Sequence, residues 1–180
     1  MRRYAIHPKW IASACLVTGA VGWLAFGVVA DASSARAQLK NTAGEKVGEV
    51  SLQDTADGVK VSASFIDLPQ GQHAFHLHAV GRCEPPFESA GGHFNPTQRQ
   101  HGRDNPQGPH LGDMPNIEVS DRTAPMIEVV LRDTTLDRGT NRILDADGAS
   151  LVVHERPDDH VTDPAGNAGA RIACGVIIGP

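Results

Sequence analysis

The chain has 180 residues, with 16 Lys and Arg against 21 Asp and Glu and a formal net charge of −5 when histidines are neutral. An acidic chain lacks the cationic surface that nonspecific binding of nucleic acid or an anionic membrane requires, so both classes of function are set aside. The length suits one domain with a full core.

In chain order, Arg2, Arg3 and Lys9 come first, and Ile11 to Ala30 then follow without a charge. Ala30, Ala32, Ala35 and Ala37 provide small-x-small steps directly after that run. A basic start, an apolar stretch and small residues form the pattern of an export signal. An uncharged run of about 18 residues or more also suffices as an uncleaved membrane anchor. Residues 1–32 are therefore read as a signal peptide, with retention as an anchor the alternative, and residues 33–180 as the working domain. The domain is expected to be periplasmic or otherwise exported, and membrane-anchored if the signal is not cleaved.

Residues 33–180 hold 13 Lys and Arg against 20 Asp and Glu, a balance of −7. They contain no Trp or Tyr and only Phe65, Phe75, Phe87 and Phe94 as aromatics, which predicts an aliphatic core. Cys83 and Cys174 are the two cysteines left after the signal. In an oxidising compartment an intramolecular disulfide is the default for such a pair.

Short alternating runs recur after residue 32: KVGEVSLQ (46–53), GVKVSASFI (58–66), MIEVVLR (126–132), SLVVHE (150–155) and ARIACGVIIG (170–179). Each is rich in β-branched residues and bounded by turn formers such as TADG, LPQG and DADG, the signature of an all-β sandwich or barrel. Residues 81–115 and 156–169 do not alternate. Loops of that length in a compact domain are usually functional or disordered, and metal-capable residues sit in or beside both.

Residues 73–80 read HAFHLHAV. A strand sends alternate side chains to opposite faces, so His76 and His78 share one face while Phe75 and Leu77 take the other. If the phenyl and leucyl groups face a core, the two imidazoles leave it together on the outer side. The long loop adds His93, His101, His110 and Asp113, a complete nitrogen and oxygen donor set for four-coordinate zinc. His154 ends its own strand and would give His76 and His78 a third nitrogen. Copper(II) prefers tetragonal nitrogen coordination. A fourth nitrogen is available if His93 gives one ring atom to each metal.

This arrangement resembles the copper,zinc superoxide dismutases, in their bacterial exported form. The resemblance runs from GEKVGEVSLQ (44–53) through HAFHLHAVGRC (73–83), SAGGHFNP (89–96), HGRDNPQGPHLGDMPN (101–116) and LVVHERPDD (151–159) to NAGARIACGV (167–176). It implies a Greek-key β-barrel or sandwich of about eight antiparallel strands with two long functional loops, and it aligns ARAQLK (35–40) with the first strand. It implies copper at His76, His78, His93 and His154, zinc at His93, His101, His110 and Asp113, and a Cys83–Cys174 disulfide. His93 would be the bridging imidazolate, which on reduction gives up its copper-side contact, takes a proton and delivers it to the forming peroxide. Arg171 would receive the superoxide anion, and Asp158 would link a copper-side to a zinc-side histidine. His73 would hydrogen-bond within the barrel, and its odd parity keeps it off the metal face. His160 matches no family role and is expected to be a solvated loop residue.

The implied activity is dismutation of superoxide to dioxygen and hydrogen peroxide, protecting an extracytoplasmic compartment, by a monomer or a homodimer. A noncatalytic copper or zinc buffer is the rival class, and it needs neither Arg171 nor a histidine common to both donor sets. A blue-copper carrier needs a free thiolate, and a zinc hydrolase needs an open coordination position.

Overall fold

The computed structural model describes Met1 and residues 33–120 and 123–179. The signal or anchor expected at the amino terminus lies outside the described residues. Among the described residues there are nine strands: β1 (Ser34–Asn41), β2 (Lys46–Thr55), β3 (Gly58–Ile66), β4 (Gly71–His73), β5 (Phe75–His78), β6 (Ile117–Val119), β7 (Thr123–Arg132), β8 (Ser150–His154) and β9 (Arg171–Val176). One curled seven-stranded sheet has the order β5-β8-β9-β1-β2-β3-β7, and β4 pairs with β6 in a second. Every strand pair is antiparallel. The expected all-β, barrel-like class is what forms.

Period-two patterning explains most of it. Along β2 the side chains alternate between exposed and buried, with Val50 and Leu52 inside and Glu49 and Ser51 outside, so a one-residue slip would expose the whole apolar set. β3 repeats the pattern in register, placing Val61 opposite Leu52 and Ala63 opposite Val50. The main core is aliphatic apart from three rings, Phe65, Phe75 and Phe94, the first two of which meet edge-on at 5.2 Å.

HAFHLHAV does not run as one strand. It breaks at Ala74, whose N–H donates to Arg156 O and whose carbonyl accepts the His154 N–H, both at 2.9 Å. The chain thereby changes partner, from β6 before the break to β8 after it. The short strand β6 is an addition to the sequence reading.

A third long connection, residues 133–149, was legible in the sequence only as a turn around DADG. It carries Leu136 and Ile143, both fully buried, into the core. Asp54 on β2 fixes it, accepting the Leu136 N–H at 2.9 Å and an Arg138 guanidinium N–H at 3.0 Å.

Candidate metal centre

Strand β5 supplies the first two ligand candidates. Phe75 and Leu77 enter the core, and His76 and His78 point the other way, as the alternation predicts. Yet all four side chains are buried. The outer face is covered by the long loop, which bridges to β5 at His76–Asp113 and His78–His93. The Leu77 N–H donates to Gly112 O at 3.0 Å, and the Phe94 N–H donates to Leu77 O at 2.8 Å. Gly112 is required for this approach, because a Cβ there would collide with the Leu77 carbonyl.

Seven side chains gather into two groups that share one ring. His76, His78, His93 and His154 bring one nitrogen each within 4.8 Å of the others, and His93, His101, His110 and Asp113 do the same with nitrogen and carboxylate atoms. All are buried.

Hydrogen bonds assign the ring nitrogens. His76 Nε2–H donates to Asp158 Oδ2 at 2.7 Å, His78 Nδ1–H donates to Gly91 O at 3.0 Å, and His154 Nδ1–H faces Gly169 O at 3.4 Å. Those bonds leave His76 Nδ1, His78 Nε2 and His154 Nε2 with lone pairs. The latter two face each other at 3.4 Å. On the other side, His93 Nδ1 lies 2.9 Å and His101 Nδ1 3.1 Å from Asp113 Oδ1, and His110 Nδ1 lies 3.4 Å from His93 Nδ1. His93 Nε2 therefore turns toward the first group.

His76 Nδ1 and His93 Nε2 are buried with no hydrogen-bond partner. A polar atom so placed is costly unless something takes its lone pair. These two belong to the four-histidine group, where a bound cation would satisfy them together, whereas a third such atom, His160 Nδ1, lies outside it. The residues fit two metal ions: a four-nitrogen set suited to copper, and a set of three nitrogens and one oxygen suited to zinc.

Asp158 joins the groups from behind. Its two oxygens accept from His76 Nε2 and from His101 Nε2, at 2.7 and 2.9 Å. It also accepts the His160 backbone N–H at 2.6 Å, and its own N–H donates to Asn116 Oδ1 at 2.8 Å. A side chain at Gly166 would collide with the same carboxylate. His160 differs from the expected solvated residue: its side chain is only 22% exposed, with Nδ1 3.5 Å from Asp158 Oδ2. Asn116 and His160 were not singled out as Asp158's neighbours, because no ligand spacing marks them.

Arg171, at the start of β9, donates to Phe87 O at 2.7 Å and to Gly91 O at 2.8 Å. Gly91 O also accepts from His78, so one carbonyl connects the guanidinium to the four-histidine group. His73 Nδ1 lies 2.8 Å from His154 O and its Nε2 2.9 Å from Pro69 O, contacts within the barrel such as those expected of it. Cys83 and Cys174 form a disulfide across 91 residues of sequence.

Burial lowers His93 to about 4 and His154 to about 3, each helped by the His76 ring. Burial also acts downward on His101, but hydrogen bonds to Asp113 and Asp158 outweigh it and raise that ring to about 9. Both carboxylates are pushed up by burial and held well below their usual range by their histidine partners.

These shifts predict the pH dependence of the metal-free protein. His93 and His154 stay neutral in the folded state while the unfolded chain takes up protons below 6.5, so stability falls from pH 6.5 toward 3–4. The Asp113 and Asp158 contributions are present above the usual carboxylate pKa of about 3.8 and decline as the pH drops below it. His101 acts oppositely: its contribution is complete below 6.5 and is lost as the pH rises through about 9. Thermal unfolding of the metal-free protein between pH 4 and pH 9.5 is expected to give a Tm maximum near neutrality. A flat profile would contradict these assignments.

A curled antiparallel sheet with two buried donor groups sharing one imidazole is the frame of a dinuclear metalloprotein. Residues 46–177 match the family model for copper/zinc superoxide dismutase. The chain is 45% identical over 152 residues to "Superoxide dismutase [Cu-Zn] 1" of Aquifex aeolicus (strain VF5), covering 83% of this chain and 90% of that one. It is 41% identical over 148 residues to "Superoxide dismutase [Cu-Zn]" of Caulobacter vibrioides, covering 80% and 85%. The crystal structure of a superoxide dismutase-like protein from Bacillus subtilis superposes with a TM-score of 0.76 at 39% identity, over 79% of this chain and 97% of that one. The chain belongs to the copper/zinc superoxide dismutase family. It is an oxidoreductase that uses copper and zinc and acts on superoxide.

Proposed function

We propose that His76, His78, His93 and His154 hold copper, that His93, His101, His110 and Asp113 hold zinc, and that Arg171 receives the superoxide anion beside the copper group. The observation that carries this reading is the orientation of His93, with Nδ1 among the zinc candidates and Nε2 unpartnered beside the copper candidates. Copper supplies a one-electron couple and zinc a fixed positive charge.

The remaining chemistry falls to the chain. Two superoxide anions and two protons become one dioxygen and one hydrogen peroxide. The guanidinium of Arg171 attracts the anion into an otherwise acidic protein. Its two carbonyl partners hold the fork in one position. His93 Nε2 is the atom that takes a proton and returns it to the product. Asp158 fixes both the His76 and the His101 ring by holding their far nitrogens. Residues 1–32 act as an export signal that delivers the domain to an oxidising compartment, a reading supported by their charge and apolar pattern.

Adding copper and zinc to the apoprotein and then measuring superoxide consumption tests this reading against the metal-buffer alternative. Turnover well beyond one equivalent per copper is expected, and stoichiometric consumption alone would favour a buffer. Arg171→Ala is expected to lower the rate at low substrate by about tenfold and to weaken inhibition by small anions, with both metals retained. Loss of copper in that variant would contradict the role given to Arg171. Asp158→Asn keeps the shape but removes the charge between two histidines. It is expected to weaken zinc binding by about 10 to 100-fold in a competition titration, and unchanged zinc affinity would refute the role assigned to this carboxylate.

A further inference from the structure

A cleft of about 690 Å³ lies between the long loop and β7, which is the last strand of the sheet. Its charge runs against that of the whole domain. Arg99 and Arg103 enter it from the loop and Arg132 from β7, while Asp133 is the one exposed carboxylate in its lining. The other carboxylate, Asp113, is buried and engaged by three histidines.

The three guanidinium groups are differently placed. Arg99 is built in: its guanidinium donates to Gly108 O at 2.5 Å, and the Asn95 side chain holds its backbone N–H and carbonyl at 3.0 and 2.8 Å. The guanidinium groups of Arg103 and Arg132 have no hydrogen bond or ion pair among the described residues. Like charges repel at close range, so gathering three of them from separated segments in an acidic domain suits an anionic occupant. A guanidinium fork matches carboxylate and phosphate oxygens geometrically. Pro109, Leu111, Pro115 and Val129 give the same cleft an apolar part of its lining, beside the polar Thr97 and Asn141. An apolar floor with a few convergent charges, in a volume of this size, is the usual form of a small-molecule site.

We propose that this cleft binds a small organic anion carrying two or more carboxylate or phosphate groups. The charges sit against Arg103 and Arg132 with Arg99 between the loop and the ligand, and the carbon body lies on the proline and leucine floor. His110 lines the same cleft, so the occupant covers the outer side of one zinc-side ligand. The site is separate from Arg171, which works on the copper side.

The metal-loaded protein is titrated calorimetrically with tricarballylate, fructose 1,6-bisphosphate and inorganic phosphate at one ionic strength. One-to-one binding is expected for at least one organic anion, tighter than for inorganic phosphate, and its identity separates the carboxylate from the phosphate source. Arg103→Ser with Arg132→Ser is expected to weaken that binding at least about tenfold while dismutase activity is kept, and Arg36→Ser, on β1, to leave it unchanged. Amide shifts in the unsubstituted protein should move within residues 97–111 and 129–133, a readout that does not depend on the variant folding. Absence of binding by all three, equal binding of inorganic phosphate, or affinity unaltered in the double variant would each overturn the proposal.

Discussion

His93→Ala is expected to lower dismutation by about 100-fold or more and to weaken both metals at once. Removing a residue that merely orients a ligand already costs about 10 to 100-fold in affinity or activity, and here a donor common to two groups disappears. Each group keeps three other donors, so both metals remain measurable, but neither is held as before. His110→Ala is the control. His110 belongs to the zinc group alone, so its loss should reduce zinc affinity while copper stays. The check is metal content and competition titration beside the activity assay. Should His93→Ala alter one metal and spare the other, the ring does not serve both.

The second large effect concerns the disulfide. Cys83→Ser with Cys174→Ser reopens a loop closed across 91 residues, and in the chain-entropy model this costs about 4 to 5 kcal/mol of stability. That is a large share of the roughly 5 to 15 kcal/mol that holds a typical domain. A functional loss is expected as well. Cys83 and Cys174 pack with Phe87, Ala90 and Val152 in a small cluster of their own. The same loop presents Phe87 O and Gly91 O to Arg171. Without the crosslink the guanidinium loses its fixed carbonyls, and activity at low substrate should fall further than metal content does. Denaturant unfolding and rate measurements on the metal-loaded variant check both parts. Equal stability, or activity lost only in step with the metals, would contradict this coupling.

Much of the fold and of the site is legible in the sequence. β2 and β3 announce themselves by alternation and flanking turn residues, and His76 and His78 by sharing the face opposite Phe75 and Leu77. The donor types in the long loop pointed to zinc because three imidazoles and a carboxylate complete a coordination shell. Family resemblance supplied Arg171 and Asp158, which no ligand spacing marks.

What the sequence concealed is tertiary in origin. Nothing periodic marks Leu136 and Ile143, two isolated apolar residues among polar ones, yet they fill part of the core because Asp54 anchors their loop from a strand 82 residues earlier. His160 looks solvated in VVHERPDDHV, but a turn with φ of 61° brings it back onto Asp158. The break at Ala74 follows from the change of strand partner, which no local pattern encodes. The arginine cleft combines positions 99, 103 and 132, whose proximity depends on how the loop lies along β7.

The most direct test is anomalous diffraction at the copper and zinc edges from crystals of the oxidised, fully loaded protein. One copper peak beside Nε2 of His93 and one zinc peak beside its Nδ1 are predicted, with His76, His78 and His154 around the first and His101, His110 and Asp113 around the second. Two peaks of which only one touches that ring, or a zinc peak within the four-histidine group, would contradict the account.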